Sequence, residues 1–277
     1  MKCRIVLLLA LFTRSKLHAQ KDSGLYQPPV YNVNVKYEMP AAITGLILFG
    51  SVANPAVVKN ATITKEELSK LTPQHVNRFD RSVITNNAQR YPNAISRSDF
   101  LLNASILSPA LLALDRTIRK DWLDIISMYM VTHAVNNTIF VATVGLVQRA
   151  RPLVYNTSLP IEERTGKNRT NSFYSGHVSN TAASTFFIAK VFTDYHQIRG
   201  WKRIMIFGAA AIPPAMVGHY RIQGGRHFRT DVITGLLVGA ASGILVPEFH
   251  RNKNGKRISV TPFYAASASG LSISLKL

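Results

Sequence analysis

Six stretches without a charged residue, 41–58, 100–114, 125–148, 172–189, 204–220 and 232–247, dominate the pattern of apolar and polar positions. Each is long enough for a helix and most are too long for a strand, which predicts an all-α helical bundle of about six core helices. Residues 20–40, with Pro28, Pro29 and Pro40, read as an extended lead-in. Between the first two stretches, Thr64-Lys65-Glu66-Glu67 has the spacing of a capping box and predicts a surface helix. The tail changes period. Ile258 and Val260 alternate with polar neighbours, 267–270 can turn, and Leu271, Ile273, Leu275 and Leu277 alternate with Ser272, Ser274 and Lys276. This reads as a small C-terminal β-hairpin or as a flexible tail, since an isolated hairpin is only marginally stable. The expected layout is a leader at 1–19, a lead-in and helical region at 20–98, a helical bundle at 99–250 and the tail at 251–277.

The leader begins with Lys2 and Arg4, runs through an apolar segment at 5–12 and reaches Leu17-His18-Ala19, a small-residue cleavage pattern. That is the form of a secretory signal peptide, and Arg14 and Lys16 leave it short of the ~20 apolar residues that span a bilayer. Whether the later stretches span is contested by two signals. Thr132, His133, Asn136 and Asn137 fall mid-way along the third stretch and Pro213-Pro214 mid-way along the fifth, which favours helices buried in protein. Against that, Arg116, Arg119 and Lys120, then Lys190, Arg199, Lys202 and Arg203, then Arg251, Lys253, Lys256 and Arg257 flank one common set of helix ends, a positive-inside pattern. Two locations stay open for an exported chain. It sits in the inner membrane with the opposite helix ends facing the periplasm, or it is soluble in the periplasm.

Composition narrows the partners. With 47% hydrophobic residues in 277, the chain can build a sizeable core, so disorder is excluded for most of it. Lys and Arg number 33 against 14 Asp and Glu, a net charge of +19 that favours anionic partners. The chain stays strongly basic without Lys2, Arg4, Arg14 and Lys16 of the leader, and export argues against nucleic acid as the natural partner. Cys3 is the only cysteine, which excludes a disulfide framework, a CxxC redox site and a cysteine-ligated zinc.

Three short segments concentrate the chemistry: Gln148-Arg149-Ala150-Arg151-Pro152, then Ser172-Phe173-Tyr174-Ser175-Gly176-His177, then Tyr220-Arg221 with His227 and Asp231. Each abuts an apolar stretch, and in an up-and-down bundle the four helix ends concerned lie on one side. Arginine forks match phosphoryl oxygens, and Ser175 with the backbone N–H groups of Gly176 and His177 adds donors at a helix start. His227 and Asp231 are spaced i,i+4, so the carboxylate can accept from one ring nitrogen and leave the other bare. His177 can supply a proton to a leaving alkoxide. Arg149, Arg226 and Arg229 read as rim charges. No carboxylate–histidine cluster of metal-ligand type accompanies these residues, so neither metal nor cofactor is expected.

These segments resemble the type 2 phosphatidic acid phosphatase family, which takes in acid phosphatases and vanadium haloperoxidases. Its pattern is Lys-x6-Arg-Pro, Pro-Ser-Gly-His, and Ser-Arg-x5-His-x3-Asp; here Arg151-Pro152, Ser175-Gly176-His177 and Arg221-x5-His227-x3-Asp231 match. The resemblance covers about 99–250. It implies His227 as nucleophile, Asp231 as its orienting partner and His177 as general acid, with Arg151, Ser175, Gly176 and Arg221 binding phosphate. Val144 stands at the family lysine, Tyr174 at the proline and Tyr220 at the serine. Losing the lysine removes one positive charge, and Arg149, in the same segment, is the candidate to replace it. The expected function is a cell-envelope phosphatase acting on a phosphomonoester or pyrophosphate, of a lipid, through a phosphohistidine. The alternatives are a vanadate-dependent haloperoxidase and a non-enzymatic anionic-lipid binder.

Overall fold

The computed structural model describes residues 29–85 and 87–252, and the backbone of 258–265 and 268–275. The leader read at 1–19 lies outside the described residues. The helices are α1 (Val35–Leu48), α2 (Asn54–Asn60), α3 (Lys65–Lys70), α4 (Arg78–Arg81), α5 (Tyr91–Leu107), α6 (Trp122–Leu146), α7 (Pro152–Tyr155), α8 (Ile161–Arg164), α9 (Gly176–Tyr195), α10 (Gly200–Ala210), α11 (Ile212–Gln223) and α12 (Arg229–His250). The six apolar stretches map onto α1 with α2, α5, α6, α9, α10 with α11, and α12, so the fold is an all-α bundle.

Local chemistry explains where these helices begin. Glu38 Oε1 accepts from the N–H of Asn34 at 2.9 Å, so α1 starts at Val35 and the extended lead-in ends earlier than expected. A π-helical turn at Phe49–Ala53 carries α1 into α2. The capping box at α3 is present: Thr64 Oγ1 accepts from the N–H of Glu67 at 3.1 Å, and Glu67 Oε2 accepts from that of Thr64 at 2.8 Å. Helix α5 crosses the boundary drawn between 98 and 99, then gives way to 3-10 turns over Ser108–Leu114, where Pro109 cannot continue the α-helical ladder. Near the start of α11, Pro214 has no N–H for the carbonyl of Ala210. The Thr185 hydroxyl donates to that carbonyl at 2.7 Å and satisfies it from a neighbouring helix.

Helix α9 is the centre of the bundle, in contact with α5, α6, α10, α11 and α12. Its closest partner is α12, along a stripe of Gly235, Gly239 and Gly243. A Cβ at Gly239 would lie 2.1 Å from the carbonyl oxygen of Ser179, and one at Gly243 2.5 Å from that of Ala183. Only glycine allows that backbone approach. The polar residues of α6 also turn toward α9. His133 contacts Asn180 at 2.9 Å and Ser184 at 3.1 Å, and Asn136 donates to Ser179 Oγ at 3.2 Å. Val135, Ile139 and Leu146 of the same helix are exposed. The polar signal at 132–137 therefore marks a protein-facing side of a helix whose other side is apolar.

Among the described residues, three helical segments are long and apolar enough to cross a membrane: Val35–Asn60 of 26 residues, Ile118–Leu146 of 29 and Arg229–His250 of 22. Exposed apolar side chains continue this exterior at Leu107, Leu111, Leu114, Trp201, Ile204 and Phe249. The protein is membrane-associated.

The end of α9 remote from Gly176 is closed by the N-terminal segment. Asn32 N–H donates to the carbonyl of His250 at 2.7 Å, Asn252 N–H to that of Val30 at 2.8 Å, and the Tyr31 hydroxyl to Asp194 at 3.0 Å. Tyr31 joins Ile118, Met128, Phe187 and Val246 in the main apolar core. Beyond the bundle, β1 (Ile258–Ala265) and β2 (Ala268–Leu275) pair antiparallel, with Ala265 opposite Ala268 and Ile258 opposite Leu275. Strand β2 takes in Ala268, Ser269 and Gly270, which the sequence pattern assigned to the turn.

Candidate active site

The four helix ends named from sequence meet around a cavity of about 460 Å³, lined among others by Arg151, Gly176, His177, Arg221, Arg226 and His227. The bundle does this by topology: α6 delivers Arg151 just past its end, α9 starts at Gly176, α11 ends beside Arg221 and α12 starts after His227.

His227 is 2% exposed, and its Nδ1 lies 2.7 Å from the carbonyl oxygen of Ser172. A carbonyl only accepts, so Nδ1 carries the proton and the neutral ring keeps a bare Nε2. Burial, then the guanidinium charges of Arg151 and Arg221, hold the His227 pKa well below the ordinary histidine value. The ring is neutral in the resting site.

The expected hydrogen bond between Asp231 and His227 is not made. Asp231 Oδ2 stays 4.0 Å from His227 Nδ1 and instead accepts from Ser172 Oγ at 2.6 Å and from the N–H of Phe228 at 2.7 Å. The i,i+4 spacing places the carboxylate near the ring, but the N–H of Phe228, just before α12, and the Ser172 hydroxyl compete for it and win. Asp231 therefore holds Ser172, whose carbonyl in turn orients His227. Ser172 was part of the quoted segment but had no role assigned.

Arg149 is a second correction. Its Nη1 donates to Asp231 Oδ1 at 2.5 Å and to Thr230 Oγ1 at 2.8 Å, and its Nη2 to Asp80 Oδ2 at 2.8 Å. The guanidinium also stacks over the Phe228 ring, 4.3 Å from its centroid. It is a strut between two fully buried carboxylates, not a ligand of the cavity. Asp80 was missed, since its link to Arg149 spans 69 positions and no local pattern announces it.

The other arginines face the cavity. Arg151 donates from Nε to Asn171 Oδ1 and from Nη2 to Asn168 Oδ1, both at 3.0 Å, and its buried Nη1 has no partner. Arg221 donates from Nη1 to Ser98 Oγ at 3.2 Å and to Asp99 Oδ1 at 3.3 Å, while its buried Nε has none. The Arg226 Nε is likewise buried and unpaired. Ser175 stands at the N-cap position of α9, but its buried hydroxyl makes no capping hydrogen bond and has no partner. At Gly176 a Cβ would sit 2.9 Å from the Phe140 ring, so the backbone reaches the cavity only with glycine there.

His177 Nε2 lies 3.0 Å from Asp99 Oδ1. Burial, only partly opposed by this hydrogen bond, lowers the His177 pKa to about 4. Asp99 itself is held below the ordinary carboxylate value, first by the hydrogen bond from His177. It was not picked out from sequence because 78 positions separate it from His177.

Two neutral imidazoles and unpaired guanidinium N–H groups thus surround one cavity in a helical bundle, with donors suited to an anion of several oxygens. Residues 121–255 match the PAP2 superfamily. Among solved structures, the chain is similar to the first transmembrane PAP2 type phosphatidylglycerolphosphate phosphatase from Bacillus subtilis, at 20% identity and a TM-score of 0.42, with 75% of this chain and 94% of the other covered. No curated protein matches the chain.

Proposed function

We propose that this protein is a cell-envelope phosphatase that hydrolyses a phosphomonoester or pyrophosphate of a lipid through a phosphohistidine on His227. The observation that carries this is the composition of one cavity. Its polar end holds His177, His227, Arg151 and Arg221, and its wall is apolar, with Phe49, Val58, Leu102, Ile106 and Phe140. A phosphate group fits the first and a hydrocarbon chain the second.

In the first step His227 Nε2 attacks phosphorus and the bond to the leaving oxygen breaks. His177 gives its proton to that oxygen, so no free alkoxide is released. Arrival of the substrate's negative charge beside His177 raises its proton affinity from the depressed resting value, so the ring takes one proton from solvent and becomes the acid only in the complex. In the second step the neutral His177 takes a proton from water, whose oxygen attacks phosphorus as the Nε2–P bond breaks. Orthophosphate leaves, His227 Nε2 is bare again, and His177 gives the proton it took from water back to solvent as its proton affinity falls to the resting value.

Orientation follows from charge. Arg116, Arg119 and Lys120 precede α6, and Arg199, Lys202 and Arg203 surround the start of α10, at helix ends opposite the cavity. Positive-inside placement of those ends supports a site that faces the periplasm. The test is a panel of phosphate-release assays on a lipid diphosphate, a phosphatidate, a lipid A-type sugar phosphate and a soluble monoester. Turnover should favour a lipid phosphate over the soluble monoester and vanish in His177→Ala. Equal rates on all four would refute the lipid assignment, and no release from any would refute the phosphatase.

A further inference from the structure

We propose that Arg226 supplies the third cation of the phosphate seat, in place of the family lysine whose position Val144 occupies. This rests on the phosphatase reading above and names the residue that completes its anion site.

The sequence leaves a charge unaccounted for. Val144 is buried and apolar, and Arg149, the nearest candidate in the chain, is committed to Asp80 and Asp231. Arg226 has what Arg149 lacks. It lines the same cavity as Arg151 and Arg221, and its buried Nε has no acceptor in the protein. Each of the three arginines thus brings one buried, unpaired guanidinium N–H: Nη1 of Arg151, Nε of Arg221 and Nε of Arg226. An unpaired buried donor is costly, and three on one cavity call for an acceptor with several oxygens. A phosphoryl group has the charge and the oxygens to satisfy them together.

Backbone geometry puts Arg226 there. Helix α11 ends at Gln223, and the chain turns through Gly224 and Gly225, the latter at φ +64°. A Cβ at Gly225 would lie 2.7 Å from the Tyr91 ring, so both the conformation and the space require glycine. The turn closes with the Arg226 N–H donating to the carbonyl of Arg221 at 3.0 Å, which folds residue 226 back beside residue 221. The two arginines then repel. The charge of Arg226 depresses the pKa of Arg221, after burial, and also that of Arg151. A bound anion relieves that repulsion.

The test compares the wild-type protein with Arg226→Ala and Arg226→Lys by two measurements: competitive inhibition by orthophosphate, and the thermal unfolding midpoint with and without orthophosphate. In Arg226→Ala the inhibition constant should rise about 10- to 100-fold, the loss of one charge-assisted hydrogen bond to the anion. Its midpoint without phosphate should be unchanged or higher, because a repelling charge is gone, while phosphate protection should shrink. Arg226→Lys, which keeps the charge and loses the fork, should fall between. An inhibition constant within twofold of wild type in Arg226→Ala would overturn the proposal, and so would undiminished phosphate protection. Protection needs no turnover, so a wild-type protein that binds phosphate without hydrolysing esters would refute the phosphatase reading and leave this assignment standing.

Discussion

Replacing Arg149 by methionine separates two roles that the chain's positive charge alone cannot distinguish. Arg149 contacts Asp231 at 2.5 Å and Asp80 at 2.8 Å, and both carboxylate side chains are 0% exposed, with the arginine side chain at 23%. Methionine would keep much of the volume and leave two buried carboxylates without their cation. Breaking a buried ion pair in this way costs about 3–5 kcal/mol, a large share of the roughly 5–15 kcal/mol that holds a typical domain folded. At about 2–4 °C per kcal/mol for a chain near this size, the thermal midpoint should fall by roughly 6–20 °C. Had Arg149 bound phosphate, its removal would instead relieve repulsion among cavity arginines, leaving the midpoint unchanged or higher. The assay is thermal unfolding of detergent-solubilised protein, paired with the orthophosphate inhibition constant of the folded fraction. A large fall in midpoint with an inhibition constant within about threefold of wild type is expected. An unchanged midpoint with an inhibition constant raised tenfold or more would refute the strut.

Arg151→Gln should move the acid limb of the kcat/KM profile to higher pH. The His227 pKa is depressed by burial and next by Arg151, so removing that charge lets the nucleophile protonate at higher pH; a limb that stays in place or moves down would contradict this. Gly239→Ala should lower the unfolding midpoint, since its Cβ would fall 2.1 Å from a backbone oxygen, an overpacking cost of about 1–3 kcal/mol or more. Gly145→Ala, with nothing within 4 Å, is the neutral control. For orientation, single cysteines at the exposed Glu162, near the site, and Lys202, at the opposite end, are introduced in a Cys3→Ser background. An impermeant thiol reagent should label the first in intact spheroplasts and the second only after lysis; the reverse pattern would place the site in the cytoplasm.

Sequence spacing identified the helices because they depend on short-range pattern. The charge-free stretches became the rods of the bundle, and their abutment on Arg151, His177, Arg221 and His227 placed those residues at one end. What stayed hidden is the partnering of charges across long sequence separations. The i,i+4 spacing of His227 and Asp231 suggested a direct contact, yet competition by Ser172 and the α12 N-terminus set the carboxylate 4.0 Å away. Asp80 and Asp99 come from helices in the region preceding the matched segment and meet Arg149 and His177 only through the fold. Arg149 and Arg226 look alike in sequence, both basic and both near a motif. Burial and the identity of nearby acceptors separate them, and neither is written in local spacing.

The central claim is that His227 is the atom-bearing nucleophile, and rapid acid-free quenching with a phosphorus-32 lipid phosphate tests it most directly. Wild-type protein should carry acid-labile, base-stable label on a peptide containing His227, and His177→Ala should retain more of that label than of turnover. His227→Ala should lose label and turnover together. Normal labelling of His227→Ala, or label on a peptide without residue 227, would contradict the account.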